Sequence, residues 1–249
     1  MTNFKDHFSD HARSYSDFRP RYGADVVAYL ATLAPTAGTV WDAGTGNGQL
    51  AAVLGDRFAR VIATDASAEQ IRSATQHARV EYRVEPAERT SLAGRSVDLV
   101  TVAQATHWFD LDRFYDEVRR VARPGSAIVL LGYELMSVSA EIDQVVAWFY
   151  KPVVGPYWPP ERAHLETGYR DLAFPFPAIP APPLEMVHVW DRDQVLAYIG
   201  TWSAVSGYKK SRGEDPIPLL RERLEQHWPD PSERRTVRWP LIVKAGRII

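Results

Sequence analysis

Three features of this sequence place reactive side chains where they could do chemistry: an acid–glycine run at residues 42–48, a second acid at Asp65, and His107. The stretch Val40-Trp41-Asp42-Ala43-Gly44-Thr45-Gly46-Asn47-Gly48-Gln49-Leu50 reads as a buried strand, a tight turn and the start of a helix. Glycine lets a backbone turn sharply and approach a ligand because it has no Cβ. At the carboxyl end of a strand in an open α/β sheet, that is where ligands bind. An acid at position 42 serves a cation and repels a pyrophosphate, and Gln49 stands where a dinucleotide fingerprint requires its third glycine. Asp65 ends the apolar run Arg60–Thr64 and is placed to accept hydrogen bonds from two ribose hydroxyls. Nicotinamide enzymes use the same device, so Asp65 points to an adenosine ribose without saying which. His107 follows a third apolar run and titrates near neutrality. It fits either a general base for a hydroxyl or amine acceptor, or a neutral hydrogen-bond donor to a carboxylate.

These positions need a scaffold, and the periodicity supplies one. Apolar runs at about 39–43, 60–64, 80–84, 97–103 and 126–133 alternate with helical patterns, which predicts a doubly wound parallel sheet. Val26, Val27, Leu30 and Leu33 share a helix face that Pro35 ends, and Leu50, Val53 and Leu54 share the next. Ser67 with Gln70 predicts a capping box. A helix is expected over Leu111–Ala122, ended by Pro124-Gly125, and another at about 138–150. Prolines and aromatics then crowd residues 150–183, forbidding regular structure and predicting an ordered lid over the strand ends. A strand over Leu184–Trp190, a helix from Asp191 through Trp202, a helix over Pro216–Trp228 and a last strand over Val237–Lys244 complete the reading.

The run Asp42-Ala43-Gly44-Thr45-Gly46-Asn47-Gly48 resembles the first motif of class I S-adenosylmethionine-dependent methyltransferases. Gln104-Ala105-Thr106-His107-Trp108-Phe109 resembles the corresponding stretch of the methyltransferase type 11 and trans-aconitate methyltransferase group. The pattern Phe8…Ala12…Tyr15…Phe18-Arg19-Pro20-x-Tyr22 looks like that group's N-terminal cover, in which an arginine and a tyrosine close over the methyl donor. The resemblance covers residues 8–133 well and the remainder loosely. It implies a Rossmann-like sheet of seven strands whose last strand is antiparallel, with a C-terminal lid insertion. The implied cofactor is S-adenosylmethionine, with S-adenosylhomocysteine as product. Implied cofactor-binding positions are Tyr15, Arg19, Asp42, Gly44, Thr45, Gly46, Asp65, Ala66, Ala87, Glu88, Gln104, Ala105 and His107, with Ala87 and Glu88 beside the adenine. On this reading the chain is one domain: residues 1–22 a cover, 23–135 the donor-binding core, 136–183 the lid insertion and 184–249 the elements that complete the sheet.

The acceptor side is read from residue type. His107 is the catalytic candidate, and Trp108, Tyr157, Trp158, Trp202 and Tyr208 are candidates to line an acceptor pocket. Arg162, Arg170, Lys209 and Lys210 are candidates to hold an acidic substrate, since arginine pairs carboxylates in bidentate fashion. The expected reaction is methyl transfer to a small molecule at oxygen, a carboxylate among the candidates. The rivals are a nicotinamide-dependent oxidoreductase, which lacks its Tyr-x-x-x-Lys pair here, and a non-catalytic protein that binds the methyl donor.

With 249 residues, 45% of them hydrophobic, the chain is long enough for one α/β domain with an insertion. A net charge of −2 gives no basic field for nucleic acid, and the absence of cysteine excludes disulfides and thiolate chemistry. His7 and His11 stand four apart with no third ligand in view, so no metal is expected. No apolar run is long enough to span a bilayer, so a cytoplasmic monomer or homodimer without membrane or nucleic-acid partners is the expectation.

Overall fold

The computed structural model describes residues 19–249. Helix α1 (Ala24–Leu33) turns Val26, Val27, Leu30 and Leu33 inward and gives way to extended backbone at Ala34, as the residue before a proline must. Then β1 (Thr39–Ala43), α2 (Gln49–Gly55), β2 (Arg60–Asp65), α3 (Ala68–Arg72) and β3 (Val80–Val84) follow in alternation. Next come β4 (Val97–Ala103), a 3-10 turn (Thr106–Trp108), α4 (Leu111–Val121) and β5 (Ala122–Tyr133). All but the last residue of β4 is buried, as expected of a central strand covered on both faces.

The strand order is β3-β2-β1-β4-β5, every neighbouring pair parallel. Chain direction across the sheet reverses between β1 and β4, so their carboxyl ends flank the crevice where such sheets bind ligands. One core packs α1, α2 and the C-terminal helices against Val40, Val61, Leu99 and Val129. A second core packs α4 and residues 165–176 against Trp41, Ile62, Val100 and Ile128. Alternate residues of one strand thus serve two cores. The Trp41 indole, wholly buried, donates to the Thr64 hydroxyl at 2.9 Å, so its polar atom is satisfied inside the second core.

The structure departs from expectation in four places. The proline-rich stretch is regular in short pieces. After α5 (Ala140–Trp148) comes a π turn (Phe149–Val153) with Pro152 inside it. Two 3-10 turns (Gly155–Tyr157 and Pro160–Arg162) follow, with Pro156 second in one and Pro160 first in the other, and then α6 (Ala163–Glu166). Proline suits the start of a helical turn because its missing N–H would have no partner there. Second, the sheet holds eight strands in all, one more than the seven expected. β8 (Arg235–Arg247) runs antiparallel to β5, and both the two-residue β6 (Ala178–Ile179) and β7 (Glu185–Trp190) pair with it.

Third, the helix capped by Asp191, α7 (Arg192–Gly200), stops short of Trp202, and α8 (Ser203–Arg212) follows where no helix was expected. Gly207 lies inside α8 and argues against a helix by propensity. A Cβ there would meet the Tyr157 carbonyl oxygen at 3.0 Å, so close approach of the 155–157 turn requires it. The expected helix over 216–228 is the shorter α9 (Ile217–Glu225). Fourth, the Ser67 hydroxyl accepts from the Gln70 N–H at 3.3 Å, but Gln70 Oε1 has no partner, so only half of the capping box forms. Likewise α4 ends before Ala122, and Pro124-Gly125 lies in the irregular start of β5.

Among the described residues no helix is long and apolar enough to cross a membrane, and no cluster of three His, Cys, Asp or Glu could hold a metal ion.

Candidate functional site

The glycine turn is held from below. Asp42 is almost fully buried, and its two carboxylate oxygens accept the hydroxyls of Thr45 at 2.6 Å and Thr101 at 2.7 Å, tying the turn to β4. Burial pushes the Asp42 carboxyl up to about 6, with Asp65 adding to the rise and the two hydroxyls opposing it. Gly44, Gly46 and Gly48 all have positive φ. At Gly44 a Cβ would strike Ala105 Cβ at 2.6 Å, so a side chain is excluded by the protein itself. Gly46 differs: its nearest neighbour to a Cβ is Gln70 Oε1 at 3.9 Å, which leaves bare backbone facing open space. Its N–H donates to Asp65 Oδ2 at 2.8 Å, and the Ser67 N–H donates to Oδ1 at 2.8 Å, so the second acid is oriented by main chain on both sides. Asp65 thus stands on the cleft wall with its carboxylate aimed by the backbone.

Above this turn opens a cleft of about 670 Å³. Its walls come from the carboxyl ends of all five parallel strands: Gly44 to Leu50 after β1, Asp65 to Ser67 after β2, Glu85 to Arg89 after β3, Ala103 to Asp110 after β4, and Tyr133 at the end of β5. That volume lies within the range of small-molecule and cofactor sites. Ala87 offers a methyl wall, and Glu88 accepts the Asp110 N–H at 3.0 Å. The side-chain amides are under-used: Asn47 Nδ2, Gln49 Nε2 and Gln104 Nε2 are buried without partners. Gln104 also has φ +57, a left-handed conformation unusual for a residue other than glycine. Such strain collects at binding sites, where the surrounding fold enforces it. Arg19 closes one end, donating to Tyr133 Oη at 2.6 Å and to the Thr201 carbonyl at 3.3 Å.

A smaller chamber of about 60 Å³ adjoins the cleft and shares Arg19, Gln104, Trp108 and Tyr133 with it. His107, Trp158, Arg162 and Trp202 line it, and among the described residues no aspartate or glutamate does. The Arg162 guanidinium stacks 4.2 Å from the centre of the Trp158 ring and donates from Nε to Tyr150 Oη at 3.2 Å. Burial, with Arg162 and His164 adding to it, drives His107 down to about 3. Its imidazole is therefore neutral at any ordinary pH, and Nδ1 has no partner.

The sequence-derived residues divide as follows. Arg19, Gly44, Thr45, Gly46, Asp65, Ala66, Ala87, Glu88, Gln104, Ala105 and Trp108 come together around the cleft. His107 faces the side chamber and is absent from the main wall. Asp42 lies beneath the turn rather than on its surface, because both its oxygens are taken by hydroxyls. Tyr157 reaches neither space: its ring packs against Tyr208 at 5.1 Å, and its Oη accepts from Arg212. Lys209 pairs with Asp215 on the surface, and Arg170 is exposed. Tyr15 lies outside the described residues. Sequence reading missed Asn47, Gln49, Phe109 and Tyr133 as wall residues. Tyr133 was findable, since it ends a parallel strand on the ligand side of the sheet.

Comparison with known proteins gives this geometry a family. The profile of the methyltransferase domain matches residues 41–130. A protein of Dictyostelium discoideum named as a methyltransferase is 31% identical over 227 residues, 90% of this chain and 86% of its own length. A solved structure from Anaeromyxobacter dehalogenans, described as a type II methyltransferase, is 46% identical with a TM-score of 0.88, covering 93% of this chain and 98% of that one. An uncharacterised methyltransferase of Mycobacterium tuberculosis is 35% identical over 127 residues, about half of each chain (50% and 51%). The cleft stands on a chain whose likeness to these proteins extends over nearly its whole length, and the chain belongs to the class I S-adenosylmethionine-dependent methyltransferases.

Proposed function

We propose that the main cleft binds S-adenosylmethionine and that the chain transfers the methyl group to an oxygen of a small acceptor reaching in from the side chamber, a carboxylate oxygen being the simplest case. One observation carries this reading: the cleft over the glycine turn and the acid-free chamber share the walls Gln104, Trp108 and Tyr133, so two ligands would meet there. The donor supplies a methyl carbon already activated by a sulfonium leaving group.

The protein's task is then alignment, which is worth roughly 7–11 kcal/mol and exceeds what a single acid or base contributes. Asp65 would accept the ribose hydroxyls while its backbone bonds to Gly46 and Ser67 keep it aimed. Gly46 lets the ligand approach bare backbone, and Ala87 with Phe109 gives flat apolar walls for a base. The carboxylates of Asp42 and Asp65 set a negative potential favourable to a cation, and the face of Trp108 adds to it.

No described residue of the side chamber is suited to remove a proton near neutral pH. His107 at about 3 is far from the range where a general base works, and among the described residues no carboxylate lines the chamber. An acceptor atom that is already anionic at neutral pH suits such a site; an ammonium or a neutral phenol does not. Titration calorimetry with S-adenosylmethionine, S-adenosylhomocysteine and NAD tests the cofactor, and a panel of carboxylic acids, phenols and amines read out by accumulated S-adenosylhomocysteine tests the acceptor. Binding of the first two ligands, no binding of NAD, and turnover confined to the acids is the expected result. Turnover confined to amines or phenols would overturn the carboxylate assignment, and failure to bind the sulfonium nucleoside would overturn the whole.

A further inference from the structure

We infer that the side chamber is an oxyanion subsite: it grips a carboxylate of the acceptor that is held as an anchor and is not itself methylated. The inference rests on the methyltransferase reading of the main cleft and adds a substrate requirement to it.

The donors in the chamber outnumber what the protein can satisfy. Trp158 Nε1 and Gln104 Nε2 are buried N–H groups without acceptors, and His107 Nδ1 is buried without any partner. Arg162 makes no ion pair among the described residues. Tyr133 Oη accepts from Arg19, so its own proton remains to be given. A buried donor without an acceptor costs roughly 1–3 kcal/mol. Several such donors converging on one small space beside the Arg162 guanidinium, with no carboxylate of the described residues in its wall, describe a site completed by a ligand's anion. Arginine with flanking N–H donors is the arrangement that recognises a planar carboxylate.

Size limits what enters. About 60 Å³ holds a group of a few heavy atoms and no ring. A carboxylate seated among these donors has its lone pairs engaged, which leaves it a poor nucleophile. The atom that receives the methyl group must therefore lie further along the acceptor, at the walls shared with the main cleft. The acceptor is thus a small acid with a second nucleophilic oxygen a few bonds away, and its methylated product keeps a negative charge.

The test uses the full chain saturated with S-adenosylhomocysteine and sodium succinate as the probe, at constant ionic strength. Trp108, Trp158 and Trp202 line the chamber, so intrinsic fluorescence reports its occupancy without turnover. A saturable fluorescence change is expected for the native protein. Binding should weaken at least about tenfold in Arg162→Gln and recover in part in Arg162→Lys, because a bidentate charged contact is lost and then partly replaced. The affinity for S-adenosylhomocysteine, measured in parallel, should be equal in all three and also reports that the variants are folded. If the native protein binds S-adenosylhomocysteine but shows no saturable response to succinate, the anchor is overturned while the cofactor reading stands. If Arg162→Gln instead weakens S-adenosylhomocysteine, the chamber holds the donor's own carboxylate and the inference is wrong.

Discussion

Replacing Asp42 with asparagine should make the protein more stable and less able to bind its cationic ligand, and the two effects can be separated by pH. In the native fold the carboxyl is pushed from 3.8 to about 6 because it is almost fully buried. At about 1.36 kcal/mol per pH unit, that rise makes the ionised form about 3 kcal/mol less favourable in the fold than in the unfolded chain. The sign follows from the folded state holding the proton more tightly. The penalty is absent well below the unfolded value of 3.8, builds up as pH rises from about 4 to about 6, and is nearly complete by about pH 7. An asparagine is isosteric and neutral, and threonine hydroxyls can donate or accept, so both contacts, to Thr45 and Thr101, can survive. Urea unfolding of both proteins between about pH 4 and 8 should show little difference at the acid end and an advantage of about 3 kcal/mol for Asp42→Asn at the alkaline end. A difference that does not change with pH, or a variant less stable at pH 8, would refute the claim that burial of a charge dominates here. If the charge is retained for the ligand, the same variant should lose more affinity for the cationic S-adenosylmethionine than for the uncharged thioether of S-adenosylhomocysteine.

Asp65→Ala removes the acceptor of two backbone N–H groups and of the proposed ribose bonds, so calorimetry should show S-adenosylhomocysteine binding weakened by about 1.5–3 kcal/mol; unchanged affinity would remove the ribose assignment. His107 is neutral down to about pH 3, so the turnover profiles of the native protein and of His107→Gln should have the same shape across the neutral range, and an inflection lost in the variant would assign the histidine a proton-transfer role. The folded imidazole titrates below its unfolded value, so native stability should fall as pH drops from about 6.5 towards 3, and that acid-side loss should be smaller in His107→Gln.

The donor side of the molecule was legible because its parts are local. A strand, a glycine turn and a helix start lie within residues 39–55, and Asp65 announces itself by ending the next apolar run. On the acceptor side residue type picked out Trp108, Trp158, Arg162 and Trp202, which do line the chamber, but not how they meet, because its walls come from residues 104–108, 158–165 and 198–203, which come together only after α5 to α8 pack on the sheet. Residue type misled at Tyr157, which looked like a pocket aromatic but serves to seat a turn on α8, where Gly207 makes room for it. The state of His107 was out of reach in principle: a sequence gives a side chain's intrinsic titration, whereas burial and the nearby Arg162 set the actual one.

Two buried titratable groups mark the two ends of the reaction space, and their environments push them in opposite directions. Asp42 is raised by burial and by Asp65, and His107 is lowered by burial and by Arg162. His107 is thereby moved away from the working pH, and Asp42, though moved towards it, lies beneath the glycine turn with both oxygens held by threonine hydroxyls. Here one group stays mostly anionic at pH 7 and the other stays neutral beside a cation. Neither is poised to exchange a proton during turnover. The arrangement instead fixes an electrostatic axis, negative under the glycine turn and positive in the side chamber, along which a cationic donor and an anionic acceptor would each be drawn to the correct end. Opposite charges would then meet at Gln104 and Tyr133, where the protein's own strained backbone marks the junction. A site organised this way selects its acceptor by charge and length before any bond changes. For that reason the anchor carboxylate, and not the histidine, is the feature on which specificity should turn.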